Sequence, residues 1–341
     1  MTSPPLERSP ETLNVRRPGD LVLLLPHLLG FRPADSLVLL LLRDQEVHLT
    51  ARFDLFGLSA RPAAVADFVD EIRQSVAPAQ LRVLAVVYAP RPQAQAAWSM
   101  VEPALADGVD LALLVDGSSW WPADAPPSAP GRPCPRHGPL KAAAVRAGLS
   151  VAPSRQALAD RLAPPAPERE DELLARRLGL MAELAESSTQ DWIDALRDLV
   201  ARSGQGRPLS DDDCLRAGLL VEQTEVRDQL WLELDTASAP AQIRLWSGVL
   251  RRSVAGQRVL PLCVLGLVAW QAGQGALQSI CHERAAALDP GFPLVGLLDT
   301  IRDRHLPPSS WRESVRVAWS SNQAAGAGAG PPADPASDLE R

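Results

Sequence analysis

The stretch that decides the fold is LLGFRPADSLV, residues 28–38. An apolar segment ends at Gly30, a polar loop follows, and an almost wholly aliphatic segment begins at Ser36. Glycine is favoured just past a helix, because it adopts the left-handed backbone conformation without a side-chain penalty. The stretch therefore predicts a helix that is capped by Asp20 and ends near Gly30, then a turn, then a buried strand over residues 36–43.

The segments that follow indicate an α/β domain. Residues 46–55 alternate between apolar and polar side chains, which predicts a second strand in a hairpin with the first. Helical spacing over residues 61–76 and 92–106 separates two more strands, at 82–88 and 110–115. Strands that alternate with helices pair in parallel through right-handed crossovers. We therefore expect a mixed, mostly parallel sheet whose first strand is antiparallel because of the hairpin.

The second half of the chain carries a helical pattern only. Residues 117–139 form a predicted loop, and 140–148 and 154–162 form predicted short helices. Residues 265–290 resemble one tetratricopeptide-type helical hairpin, from which Gln278 and His282 depart. The expected layout is a flexible arm (1–17), an α/β domain (18–163), a proline-rich linker (164–167), an all-α domain with the tetratricopeptide-like hairpin (168–319) and a disordered tail (320–341).

Composition and charge exclude several classes of partner. The net charge is −7 and the pI is near 5.4, which argues against binding to nucleic acid or to an anionic membrane. No apolar run reaches the roughly 18–20 residues that a membrane span needs. The four cysteines are scattered and form no CxxC pair. We expect a soluble cytoplasmic protein.

The predicted topology gives a candidate ligand site at one sheet edge. If the second, third and fourth strands run in the same direction, their ends lie beside the start of the first strand, and ligands of open α/β sheets bind at such an edge. Carboxylates beside a guanidinium suit a cation, a polar metabolite or an acid/base substrate. The alternative is that these residues only shape turns and form a structural ion pair. The candidate residues are Arg32, Asp35, Ser36, Arg52, Asp54, Tyr88 and Asp116.

No catalytic, metal or cofactor motif is complete. Cys134 and His137 have metal-ligand spacing, but no second pair matches them. No glycine-rich phosphate loop and no nucleophile elbow follows a strand. Trp120 and Trp121 are expected to anchor their loop, and His27 is expected to be structural. We assign no catalytic residue, no metal and no cofactor from the sequence.

Two functional hypotheses remain open at this point. The favoured one is a non-catalytic binding or interaction module, with a protein partner on the helical domain and a small polar ligand at the sheet edge. The alternative is a hydrolase- or transferase-like enzyme that uses Asp35, Asp54 and Asp116, with Arg52 orienting an anion.

Residues 26–38 resemble a bacterial family that is marked by a Leu-Gly-Phe motif, domain-of-unknown-function family 4192. The similarity continues through residues 52–55, 116–121 and 148–158 and the hairpin around residue 270, so it covers most of residues 18–318. Similar proteins carry more cysteines in the loop where this chain has Cys134 alone. The resemblance implies membership of the family and no particular activity. The signature residues in this chain are Leu29, Gly30, Phe31, Pro33 and Ser36.

Overall fold

The computed structural model describes residues 15–43, 46–61, 63–75, 81–105, 108–146, 149–308 and 310–311. The chain divides into two compact units between Arg155 and Gln156. The arm, linker, tail and domain boundaries given above stay predictions. Most of the arm, the turn at 44–45 and the tail lie outside the described residues. Among the described helices, none combines the length and apolar character that crossing a membrane requires.

The first unit contains a sheet with helices. Its strands are β1 (Ser36–Arg43), β2 (Glu46–Asp54), β3 (Leu81–Tyr88), β4 (Leu111–Asp116), β5 (Ser119–Pro122) and β6 (Arg132–Pro133). Its helices are α1 (Pro18–Leu29), α2 (Leu55–Ala60), α3 (Ala64–Ser75), α4 (Arg91–Val101) and α5 (Pro139–Arg146), and a 3₁₀ turn (Glu102–Leu105) follows α4. Helix α6 (Arg155–Asp160) begins at the last residue of this unit.

The sheet is mixed, but it is mostly antiparallel, so the prediction of a mostly parallel sheet is wrong. Its strand order is β2-β1-β3-β4-β5-β6, and only the β3–β4 pair is parallel within the described residues. Strand β1 lies between β2 and β3 and is antiparallel to both. Strands β2, β3 and β4 therefore do run in one direction, but β1 separates the first two of them.

Part of the predicted loop 117–139 belongs to the sheet. Asp116 pairs with Ser119, so Gly117 and Ser118 form a two-residue hairpin connection between β4 and β5. Gly117 has φ 56°, the left-handed conformation that such a connection needs. The Gly117-Ser118 pair is therefore a hairpin signal, and the prediction of a loop that begins at residue 117 is wrong at this point.

The elbow between α1 and β1 is fixed by backbone hydrogen bonds. Gly30 ends α1 with φ 76°, as its position in the sequence predicts. The N–H of Arg32 then donates to the carbonyl of Ala152 at 3.0 Å, and the N–H of Ala152 donates to the carbonyl of Gly30 at 2.8 Å. Asp20, the predicted cap, lies inside the first turn of α1, three residues after the N-cap residue Arg17, and its carboxylate accepts the N–H groups of Arg16 and Arg17.

Strand β1 is buried on both faces. Leu37, Leu39 and Leu41 belong to a core that α3 and α4 cover through residues such as Val69 and Trp98. Side chains alternate along a strand, so Val38 and Leu40 point to the opposite face, where they are buried too. This two-sided burial explains the unbroken aliphatic run from which the strand was predicted.

The second unit consists of helices. They are α7 (Pro167–Leu184), α8 (Thr189–Gly204), α9 (Asp211–Leu220), α10 (Thr224–Glu233), α11 (Ala239–Leu250), α12 (Val259–Gln271), α13 (Gly275–Leu288) and α14 (Pro293–Asp303), with a 3₁₀ turn (Ala255–Gln257) before α12. Helix α12 is buried along almost its whole length, so it forms the centre of this unit. Near the last described residues, the Trp311 ring meets Trp231 and Trp270 edge to face, with centroids 6.0 Å apart in both pairs.

Candidate functional site

The strand register places most of the predicted site residues at one edge of the sheet. Ser36 pairs with Asp54 on one side and with Tyr88 on the other. Tyr88 pairs in turn with Val115, the neighbour of Asp116. The side chains of Ser36, Asp54 and Tyr88 share the face opposite the core that contains Leu37 and Val87.

Arg52 is held at this edge by structural contacts. Its Nε donates to Ser36 Oγ at 2.8 Å, and its Nη2 donates to Asp54 Oδ2 at 3.1 Å. The guanidinium also lies over the Phe31 ring, 5.8 Å from the centroid. The hydroxyl of the fully buried Ser36 donates to the carbonyl of Ala34. Arg52 therefore joins the loop after α1 to the end of β2.

The other two predicted aspartates at this edge, Asp116 and Asp35, make separate structural contacts. Asp116 Oδ2 accepts the N–H of Arg91 at 2.9 Å, in the first turn of α4, where a carboxylate is favoured by the helix dipole. Asp35 has φ 45° and shapes the turn, and its carbonyl accepts the N–H of Leu55 at 3.0 Å. Arg32 contributes its backbone to the elbow and has an exposed side chain. These contacts match the structural alternative considered for the edge.

Tyr88 and Cys134 carry the side chains near this edge that could in principle react, a phenol and a thiol. The Tyr88 hydroxyl is buried and has no hydrogen-bond partner among the described residues. Burial raises the pKa of the Tyr88 phenol, and the charge of a Cys134 thiolate would raise it further. Burial also raises the pKa of the Cys134 thiol, which Arg136 partly offsets. Both groups are therefore protonated at neutral pH, and Cys134 is not an activated nucleophile.

The two tryptophans of β5 contact the segment that follows β5 and helix α4. The indole N–H of Trp121 donates to the Ala129 carbonyl at 3.0 Å, and the Arg91 guanidinium lies 4.4 Å from its ring centroid. Arg132 lies over the Trp120 ring in the same way, at 5.0 Å. In the part of the chain that the structure describes, no three His, Cys, Asp or Glu side chains are grouped closely enough to hold a metal ion.

The helical unit contains a groove that the sequence did not indicate. It lies between α8, α10 and α11 and encloses about 250 Å³. Five of its eleven lining residues have aliphatic side chains, and its rim carries an ion pair in which Arg197 Nε donates to Glu233 at 2.8 Å. The aliphatic wall residues are Ile193, Leu196, Val200, Val226 and Leu230.

Gln242 is the polar residue deep in this groove. Its side chain is only 2% exposed, and its amide oxygen has no hydrogen-bond partner within the described residues. Its amide nitrogen makes one long contact, 3.4 Å to Ser238 Oγ. Leaving such a buried polar atom without a partner costs about 1–3 kcal/mol. A group that binds in the groove and donates a hydrogen bond would remove that cost.

Sequence reasoning missed Gln242, although a signal was present. Gln242, Leu245, Trp246 and Val249 have the spacing of one helical face, and all four are buried. The glutamine is the polar residue on an otherwise apolar stripe. An amide at such a position points either to a structural hydrogen bond or to a ligand.

Helix α7 carries an exposed apolar stripe. Leu174, Leu178 and Met181 follow one face of the helix and are 41%, 59% and 46% exposed. The protein partner itself stays a prediction.

Comparison with known proteins gives a family and no activity. The model of the domain of unknown function DUF4192 matches residues 18–309. The chain belongs to this family. No curated protein and no solved structure matches the chain. The DUF4192 match includes both the sheet edge and the groove.

Proposed function

We propose that this DUF4192 protein is a non-catalytic binding protein whose groove between α8, α10 and α11 takes up a small, mostly apolar molecule. The observation that carries this proposal is the buried Gln242 amide oxygen, which lacks a partner among the described residues and belongs to a residue that lines the groove. Sites for small molecules commonly combine apolar walls with a few polar groups that orient the ligand. The groove has this composition.

The walls and rim define the chemistry of the ligand. Aliphatic side chains would leave a charged ligand poorly solvated, so the body of the ligand is neutral and apolar. The Arg197–Glu233 ion pair gives the rim no net charge of its own. A volume of about 250 Å³ suits a compact molecule rather than a lipid or a peptide. The ligand that fits is a small neutral molecule with one O–H or N–H group that donates to Gln242.

The contacts at the sheet edge favour binding in the groove over the enzyme alternative. Asp54 is paired with Arg52, and Asp116 caps α4. An acid/base mechanism would need these carboxylates to face a substrate. The Ser36 hydroxyl accepts a hydrogen bond from Arg52, so it too is engaged within the protein. We therefore propose the groove, rather than the sheet edge, as the main binding site.

The helical unit also supports the tetratricopeptide-type interpretation of α12 and α13. A side-chain carbon at Gly266 would lie 3.1 Å from Leu298 and 3.4 Å from Cys281, so the glycine allows close packing of three helices. His282, which departs from the repeat pattern, is buried; its Nδ1 is hydrogen-bonded to Arg302 of α14, and its Nε2 lies 2.9 Å from Asp299 Oδ1.

Replacing Gln242 by leucine tests the proposed role of its amide. Benzyl alcohol and toluene share an aromatic ring and differ in a hydroxyl group, and the full-length protein can be titrated with each. We expect the ratio of their affinities, alcohol over toluene, to fall about fivefold in Gln242→Leu, because one neutral hydrogen bond contributes about 1 kcal/mol. Leucine has a similar volume, and the buried oxygen is already without a partner, so the fold should be retained.

The matched control for this test is Gln190→Leu, on the exposed side of α8 outside the groove. Its affinity ratio should equal that of the wild-type protein. If the ratio in Gln242→Leu also stays at the wild-type value, Gln242 does not contact a ligand and the proposal fails.

A further inference from the structure

A second cavity of the helical unit is lined by four arginines. It encloses about 160 Å³ near the C-terminal end of α8, beside α9 and α11, and shares no lining residue with the groove. Arg207 comes from the segment after α8, and Arg244 lies on α11. Arg251 and Arg252 follow the end of α11. The protein as a whole carries a net charge of −7, so this concentration of positive charge is local.

Two of these arginines are fixed by contacts within the protein. Arg244 donates from Nε and Nη2 to the Ser203 carbonyl, at 3.0 and 2.8 Å. Arg252 donates from Nε to Asp211 at 2.5 Å and from Nη1 to the Gly248 carbonyl at 3.1 Å. Both side chains are therefore positioned before any ligand binds.

The side chains of the other two arginines are exposed and unpaired. Neither the Arg207 nor the Arg251 guanidinium makes a hydrogen bond or an ion pair with any residue that the structure describes. Asp211 is the one carboxylate, within the described ranges, that is bonded to any of the four, and it is shared with Arg169 at 2.6 Å. Arg252 lowers the pKa of Asp211, which is therefore ionised at neutral pH. The carboxylates that act on the cavity are already paired, Asp211 with Arg252 and Arg169, and Asp213 with Arg202.

Two of the four guanidinium groups meet at Gly248. A side-chain carbon at Gly248 would lie 3.7 Å from Arg252 Nη1 and 3.9 Å from Arg251 Nη2. The same position is 3.0 Å from the sulfur of Cys214, whose pKa burial raises, so the thiol adds no negative charge at neutral pH. Bringing guanidinium groups together in a partly enclosed space is unfavourable unless an anion lies between them.

We propose that this cavity binds the phosphate group of inorganic phosphate or of a small phosphate monoester. Guanidinium groups offer paired N–H donors whose spacing matches two phosphate oxygens, and such bonds are about twice as strong as neutral ones. A volume of about 160 Å³ has room for a phosphate with a short substituent. This proposal does not depend on the groove, since the two cavities have separate walls.

The test is calorimetric titration of the full-length protein with inorganic phosphate, at an ionic strength held constant with sodium chloride. The wild-type protein should bind phosphate saturably. The double variant Arg207→Gln/Arg251→Gln should lose affinity about tenfold or more, because two charged donors are removed. These two side chains hold no other part of the described structure, so circular dichroism should show an unchanged fold.

A charge-matched control keeps this test specific. The double variant Arg176→Gln/Arg216→Gln removes two positive charges from exposed ion pairs outside the cavity and should bind phosphate within about twofold of wild type. A titration with glycerol phosphate distinguishes a phosphate monoester from inorganic phosphate as the ligand. Tighter binding of glycerol phosphate than of inorganic phosphate identifies a monoester site, and equal binding identifies a site for the free anion. Absence of saturable binding to the wild-type protein, or equal binding by the two double variants, would overturn the proposal.

Discussion

Replacing Arg258 by methionine is expected to lower the free energy of unfolding by about 3 kcal/mol. Arg258 is only 6% exposed. Its Nη1 donates to the carbonyls of Leu250 and Ser253 at 2.7 and 3.1 Å, and its Nη2 donates to the Leu162 carbonyl at 2.6 Å. Leu250 is the last residue of α11, so the guanidinium satisfies a carbonyl at a helix end that has no partner within the helix.

Methionine would fill a similar space but could donate to none of these three carbonyls. The Leu162 and Ser253 carbonyls would lose their side-chain donor, and the Leu250 carbonyl would keep only the 3.4 Å hydrogen bond from the Ser253 N–H. Each such loss costs about 1 kcal/mol or more. Part of that cost is offset, because methionine removes a charged group from a buried position. Burial of this charge is unfavourable, and it lowers the pKa of Arg258. The net effect remains one of the largest that a single substitution in this unit should produce.

Urea denaturation of the full-length protein, followed by circular dichroism, measures this effect. The control is Arg216→Met, which removes one exposed ion pair with Glu183 and should cost no more than about 0.5 kcal/mol. If Arg258→Met were no less stable than this control, the three hydrogen bonds would not stabilise the end of α11.

Ala201→Trp is expected to weaken the binding of benzyl alcohol about 30-fold. Ala201 lines the groove and is exposed, so an indole at this position can fill the groove without displacing core residues. A bound ring buries roughly 100 Å² of apolar surface, which contributes about 2.5 kcal/mol at 25 cal/mol per Å². Losing most of that contact corresponds to about 2 kcal/mol, or about 30-fold in affinity.

The control for this prediction is Ala175→Trp, which places the same side chain at an exposed position on α7 outside the groove. Its affinity for benzyl alcohol should match that of the wild-type protein, and both variants should unfold at the same urea concentration as wild type. Equal affinities in Ala201→Trp and wild type would show that benzyl alcohol binds somewhere else.

Local parts of the fold were predictable because their causes are local. The aliphatic run from Ser36, the alternation in β2 and the glycine after α1 each reflect the burial or backbone conformation of a few neighbouring residues. The strand order was not predictable in the same way. Insertion of β1 between β2 and β3 depends on which distant strands pair, and the hydrophobic pattern of β1 is the same for either neighbour.

In the candidate sites too, strand direction was predictable from the sequence, whereas contacts between distant segments were not. Strand direction alone was sufficient to bring Ser36, Asp54 and Tyr88 together at one edge. It could not reveal that Arg52 binds Ser36 and Asp54, because that contact depends on how the loop with Phe31 packs. Likewise, the groove and the arginine-lined cavity are formed by packing of α8 against its neighbours, and no sequence motif marks such packing.

The most direct test of the proposed function is the position of bound benzyl alcohol in the wild-type protein. Methyl-resolved NMR titration of the full-length chain can locate it, because aliphatic side chains form the groove walls. The account predicts saturable shifts that are concentrated in the methyl groups of Ile193, Leu196, Val200, Val226 and Leu230. Shifts that fail to saturate, or that concentrate in methyl groups of the α/β unit instead, would contradict it.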